Sequence, residues 1–209
     1  MSNTLTAFSA PPPHLVVDSA FGPDLAGRLL SFVMEREAAF AETTVGARAG
    51  KTVRRTIRSS RATQDFGALR GELDDRFRRM LPSAISRLEL APFALTGLSM
   101  ELAAHGDGDF YQRHIDTFVA GAASGADRIL TGVYYFHASP RPFSGGDLRL
   151  HSLRPLEDGG SYVDVEPLND RLVLFPAWAP HEVRPVSCPE GGFARSRFAI
   201  NCWYLGTAV

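Results

Sequence analysis

The chain has 209 residues, 44% hydrophobic and 22% charged, with a formal net charge of −1. That length fits one domain with a sizeable core, and the balance is that of an ordinary soluble globule. A charge so near zero gives no global pull towards nucleic acid or an anionic membrane, so neither is expected as a partner. No apolar run is long enough to span a bilayer, and the N-terminus lacks the basic start and apolar stretch of a secretory signal. Two cysteines, Cys188 and Cys202, make no disulfide framework, and a cytoplasmic setting is expected.

Residues 1–13 end in Pro11-Pro12-Pro13 and read as a flexible lead-in. His14 to Asp18 is a short apolar run, expected as a first strand. Gly22-Pro23-Asp24 has the composition of a helix start. Leu25, Leu29, Val33 and Phe40 place an apolar stripe behind it, predicting a helix to about Ala41. Between 43 and 63, Arg48, Lys51, Arg54, Arg55, Arg58 and Arg61 form a basic stretch without an acid. A cationic lip near the cavity that draws an acidic substrate or a nucleic acid is one reading. A solvated loop and edge strand is the favoured one, since cations also deter edge pairing. Phe66, Leu69, Leu73, Phe77, Met80, Leu81, Ile85 and Leu88 form the strongest helical stripe, in which Pro82 is expected to break or bend the helix. Helical support is thus assigned to 23–90.

From Phe93 the period becomes two. Leu98, Met100 and Leu102 alternate with Ser99, Glu101 and Ala103, predicting a strand. Gly106 to Asp109 is a turn cluster, and His105 before it reads as a turn residue. Phe110 to Thr117 contains His114-x-Asp116. In an extended strand these two side chains would share a face. Gly121 to Asp127 is a small-residue loop with no apolar spacing, expected to be mobile. Arg128 to Phe136 reads as a strand with Val133 and Tyr135 on one face. Gly145-Gly146 marks a backbone passing close to something bulky. Arg171 to Phe175 reads as the strand leading into Pro176-Ala177-Trp178-Ala179-Pro180-His181. Cys188 falls in a loop where exposure is expected. Arg195 to Tyr204 reads as a strand with Arg197, Ala199, Asn201 and Trp203 on one face.

His181 follows Asp116 by 65 positions. Two histidines and one aspartate make the facial triad that holds non-haem Fe(II) while leaving coordination positions open; spacing alone fits Mn or Co as well. An inward Arg is costly to bury without an anion, and a guanidinium suits the end of a dicarboxylate. His114-x-Asp116, His181 and Arg197 together resemble the 2-oxoglutarate- and Fe(II)-dependent dioxygenases, in particular their prolyl-hydroxylase-like branch. Tyr111, the segment Thr131 to Phe136, Ser144 to Leu150, and Leu174-Phe175-Pro176 add to the resemblance in the family's order, over roughly 98–205.

The resemblance implies an α+β chain with a double-stranded β-helix, or jelly roll, at 93–205 and the N-terminal helices packed on one sheet. Residues 14–209 would then form a single dioxygenase domain. It implies Fe(II) on His114, Asp116 and His181, with 2-oxoglutarate and dioxygen as co-substrates and ascorbate as a supporting reductant. The far carboxylate of 2-oxoglutarate would lie on Arg197 and the Tyr135 hydroxyl, with Tyr111 facing co-substrate or substrate. Arg195 competes with Arg197 for the first of these roles, because the gap after His181 is longer than in many relatives, although parity with Trp203 favours Arg197, and the alternative for Tyr135 is a core aromatic. The implied activity is hydroxylation of an unactivated C–H, on a prolyl residue in a protein or peptide. Alternatives are a free amino acid or other small molecule as substrate, a metal and 2-oxo acid sensing module without turnover, and a cupin-like jelly roll with Zn or Mn.

Overall fold

A computed structural model describes residues 8–43, 54, 56–117 and 127–208. The first part of the lead-in, much of the basic stretch (Arg48, Lys51 and Arg55) and nearly all of the 121–127 loop lie outside them. Helix α1 spans Pro23–Met34 and helix α2 spans Leu69–Arg87. The strands are β1 (Leu15–Val17), β2 (Ala41–Glu42), β3 (Arg58–Ser59), β4 (Arg61–Thr63), β5 (Phe93–His105), β6 (Phe110–His114), β7 (Asp127–Phe136), β8 (Ser144–Gly145), β9 (Leu148–His151), β10 (Tyr162–Val165), β11 (Arg171–Pro176), β12 (His181–Val183), β13 (Val186–Ser187) and β14 (Arg197–Ala208).

Two antiparallel sheets face each other. The larger runs β1-β11-β7-β14-β5-β4-β2 and the smaller β10-β9-β12-β6-β3, with β13-β8 as a short ribbon beside them. Period-two patterning explains the layering. In β5 and β14 the even-numbered residues, among them Leu98, Met100, Leu102, Phe198, Ile200 and Tyr204, pack outward against Leu25, Leu29 and Val33 of α1 and Leu73 and Phe77 of α2. The opposite parity faces the second sheet, where Val133, Tyr135, Val173, Phe175 and Ala199 meet Leu148, Leu150 and Val165. The double-stranded β-helix with helices on one sheet is therefore the fold of this chain.

Two predicted details change, and at Pro82 the structure decides between a break and one continuous helix. The first helix stops at Met34, and the chain makes a single turn of 3₁₀ helix at Glu37–Ala39. Phe40 is still buried, but it reaches the core from extended backbone and packs against Phe193 at 5.0 Å. A buried aromatic seven residues after Val33 thus mimicked two more helical turns. Pro82 sits exposed inside α2, which continues through it as one element. Cys188 is buried, with its thiol directed at the Arg195 carbonyl, 3.4 Å away.

The helical layer is tied to the sheets by polar bonds as well. Asp170, in a left-handed conformation (φ 59°), accepts hydrogen bonds from the Phe21 and Gly22 amides and the Tyr134 hydroxyl, each at 2.9 Å. It joins the start of α1 to the central sheet. The Tyr204 hydroxyl donates to the Phe77 carbonyl at 2.7 Å, joining α2 to β14.

Candidate active site

The two histidines are cross-strand neighbours. Antiparallel pairing of β6 with β12 sets His114 directly opposite His181, which brings their rings to 4.1 Å between centroids. Asp116 is not carried on the same strand, as its spacing suggested. β6 ends at His114, and the aspartate lies beyond it. It is held there by the segment leading into His181: the Ala177 carbonyl accepts from the amides of Asp116 (2.9 Å) and Thr117 (3.2 Å). His114 Nε2 lies 3.9 Å from Asp116 Oδ1, and His181 Nε2 lies 3.5 Å from Asp116 Oδ2. One donor atom from each residue fits within a 4.8 Å set.

Local bonding orients these donors. His114 Nδ1 lies 2.8 Å from the Gln112 carbonyl and His181 Nδ1 lies 2.9 Å from the Ala179 carbonyl. A carbonyl only accepts, so Nδ1 carries the proton in each ring and Nε2 keeps a free lone pair. Thr131 donates its hydroxyl to Asp116 Oδ2 at 2.8 Å. Phe175 supports His181 edge-on at 4.8 Å, and Tyr111 stacks on His114 at 3.6 Å. Burial, aided by neighbouring His181, lowers the His114 pKa to about 3. Burial alone would raise the Asp116 pKa, but His181, His114 and Thr131 outweigh it and hold it below the ordinary value. The trio therefore presents a carboxylate and two imidazole Nε2 atoms. That set fits a divalent metal of the Fe(II) type and leaves the remaining positions to other ligands.

Deeper between the sheets lies a second polar group. Arg197 is 1% exposed. Its Nε donates to the Gly146 carbonyl at 2.7 Å, while Nη2 has no hydrogen-bond partner among the described residues. Its guanidinium carbon lies 4.8 Å from the Tyr135 ring centroid. The Tyr135 hydroxyl, fully buried, is close to this cation without a well-directed hydrogen bond to it. Burial pushes the Tyr135 pKa up, so the phenol keeps its proton and remains a donor. Gly146 explains the sequence's sign of close approach: at φ 72°, a Cβ there would come within 2.7 Å of Arg197 Cδ. Arg195, by contrast, sits in a 3₁₀ turn before β14 and pairs with Glu190 at the surface, 2.5 Å away.

Several residues at the mouth were not singled out by sequence. Arg58, expected on a solvated edge, has a side chain only 10% exposed and pairs with Glu101 at 2.5 Å. It also lies 4.9 Å over the Tyr111 ring. Arg128 lies 3.9 Å over the Trp203 ring and 3.9 Å from Asp116 Oδ1. His105 is the buried end of β5 rather than a turn residue. Glu101 and His105 share the inward parity of β5, which is the signal that could have found them. Arg58 and Arg128 carried no such signal. His151, not chosen as a ligand from its strand position, lies outside the metal-donor trio.

The comparisons with known proteins agree with this geometry. Residues 100–205 match the family described as the 2OG-Fe(II) oxygenase superfamily. Over 145 residues, 68% of the chain, there is 34% identity to an uncharacterized PKHD-type hydroxylase of Synechocystis sp.. The matched stretch is 47% of that protein, so the chain spans about half the length of this relative. Among solved structures, a Pseudomonas putida prolyl-4-hydroxylase is similar with a TM-score of 0.68 and 23% identity, covering 92% of each chain. A Trichoplax adhaerens prolyl hydroxylase, solved in complex with a hypoxia inducible factor oxygen degradation domain peptide fragment, is similar with a TM-score of 0.62 and 26% identity. That match covers 92% of this chain and 83% of the other.

Proposed function

Because the chain belongs to the 2OG-Fe(II) oxygenase superfamily, we propose that it is a 2-oxoglutarate-dependent Fe(II) dioxygenase that hydroxylates an unactivated C–H bond of a prolyl residue in a protein or peptide. The observation that carries this reading is the pairing of the His114, Asp116 and His181 donors, all within 4.8 Å, with a buried Arg197 whose Nη2 has no hydrogen-bond partner among the described residues.

In this reading His114, Asp116 and His181 hold Fe(II) through Nε2, a carboxylate oxygen and Nε2. Fe(II), when bound with 2-oxoglutarate and dioxygen, supplies oxidative decarboxylation to succinate and carbon dioxide, coupled to insertion of one oxygen atom into the substrate. The protein's part is placement. The two backbone carbonyls keep both imidazoles in the tautomer that can ligate, and Thr131 fixes the carboxylate. Arg197 receives the far carboxylate of 2-oxoglutarate and the Tyr135 hydroxyl donates to it. Asp147 acts on this guanidinium only through its field, and Nη2 has no hydrogen-bond partner among the described residues, so a ligand carboxylate there would supply a direct counter-charge. The apolar walls from Val133, Leu148, Leu150 and Phe175 exclude water from this end. Tyr111, stacked on His114, lines the side where co-substrate and substrate meet. The prolyl substrate is supported by the likeness to the Trichoplax enzyme solved with a peptide fragment.

The test is incubation of the protein with Fe(II), 2-oxoglutarate and prolyl-containing peptides. Succinate should accumulate in step with a peptide product carrying one added oxygen on a proline, and His114→Ala should abolish both. If neither succinate nor oxygen uptake appears with peptides or with a cell lysate, the enzymatic reading fails. An added oxygen found only on a free amino acid or other small molecule would overturn the prolyl assignment.

A further inference from the structure

The inward end of β5 holds an imidazole that the proposed chemistry does not yet use. His105 is 3% exposed, and neither of its ring nitrogens has a hydrogen-bond partner among the described residues. Antiparallel pairing of β14 with β5 sets it directly opposite Arg197, and two residues further along β14, on the same face, Ala199 is opposite Tyr135 of β7. Cross-strand partners point to the same face, with their side chains about 5 Å apart at the root. Three buried polar groups thus stand together on three adjacent strands. Among the described residues, Arg197 Nη2, the Tyr135 hydroxyl and the His105 ring make no well-directed hydrogen bond, although Tyr135 and Arg197 lie close to each other. An isolated orphan can be a packing compromise, but three on one patch describe the outline of a polar ligand.

The chemistry of that ligand follows from the groups. A positive guanidinium and a protonated phenol are donors towards an anion. His105 is held well below its ordinary pKa, by burial first and then by Arg197 and Arg58, so it is neutral. A neutral imidazole supplies one N–H without adding charge. Arg58 does not satisfy the ring, since it is engaged by Ser60 and Glu101.

We propose that His105 is a third binding residue for the far carboxylate of 2-oxoglutarate, donating a ring N–H to it beside Arg197 and Tyr135. The inference rests on the assignment of that carboxylate to Arg197. With three donors converging on one end, this site recognises the length of a five-carbon dicarboxylate as well as its charge. A 2-oxo acid ending in a methyl group would leave all three unsatisfied.

The test is calorimetric titration of the anaerobic Fe(II)-loaded protein with 2-oxoglutarate and, separately, with 2-oxobutyrate, which keeps the 2-oxo acid head but lacks the second carboxylate. His105→Phe should weaken 2-oxoglutarate binding roughly ten-fold or more, the scale of one hydrogen bond to a charged group. It should leave 2-oxobutyrate binding unchanged, and His105→Gln should recover most of the loss. Equal weakening for both acids, or no weakening for either, overturns the role of His105. An unchanged 2-oxoglutarate affinity in Arg197→Ala instead overturns the underlying assignment of the pocket. If His105→Phe does not fold, the Zn(II)-loaded wild-type protein gives a second measurement by histidine ring ¹⁵N resonances. The His105 signal, identified by its loss in His105→Gln, should move with 2-oxoglutarate and not with 2-oxobutyrate. Equal responses to the two acids, or none, would overturn the proposal.

Discussion

Thr131 shows how a residue with no direct claim on a metal can govern one. Its hydroxyl donates to the Asp116 oxygen that lies nearest His181, and it is almost wholly buried. Groups that orient a ligand from behind typically change metal affinity about 10–100-fold when removed. Thr131→Val keeps the shape and deletes the donor. It should weaken Fe(II) binding by at least roughly ten-fold in a competition titration. An unchanged affinity would mean that the Ala177 carbonyl, through the Asp116 amide, orients the carboxylate unaided. Thr131 was visible in the sequence as part of the Thr131 to Phe136 motif, but its partner was not. A hydroxyl on a strand names its face and not the carboxylate it meets.

At the level of elements, the long strands were readable and the two-residue strands were not. β5 and β14 alternate, so their existence and faces followed from parity, whereas β7 and β11 showed as apolar runs long enough to be strands. β2, β3, β8 and β13 have two residues each, too few to show any period. Helix α2 was readable for the same reason as β5 and β14, because its stripe is regular. Phe77 is its buried centre, 0% exposed, packed edge-on against Phe21 at 5.2 Å and under β14. Phe77→Ala should cost about 3–5 kcal/mol in denaturant unfolding, the range for deleting a buried ring. A loss below about 1 kcal/mol would mean that the helix collapses onto the sheet to refill the space. Such a collapse would move Gly132, whose space is bounded by Phe77 and Leu174.

The whole molecule should respond to acid through its buried imidazoles. His105, His137 and His151 are all shifted below the ordinary 6.5, with burial the leading cause in each. Below that value the unfolded chain binds more protons than the folded one. Folding stability then rises with pH through this window and is lost as pH falls below about 6.5. Asp147, raised by burial, acts in the opposite direction, but only near the carboxylate range. The melting temperature of the metal-free protein should therefore fall steadily between pH 7 and pH 5. A flat profile would show that these rings gain water or partners in solution. Among the described residues no helix is long and apolar enough to cross a membrane.

Period was enough to place the long strands and the inward faces of β5 and β14, and the order of the motifs, through the family they resemble, implied the jelly roll and the residue types of the candidate metal and co-substrate groups. These are local properties: a side chain's face depends only on its own strand, and a donor's chemistry only on its own atoms. Which groups meet was decided by tertiary pairing. Register between β6 and β12 sets His114 against His181, and register between β14 and β5 sets His105 against Arg197. A turn-forming sequence after His105 concealed its burial, and a basic run concealed the pairing of Arg58 with Glu101. Contacts between strands distant in sequence depend on how two sheets close over each other, and no single segment carries that information.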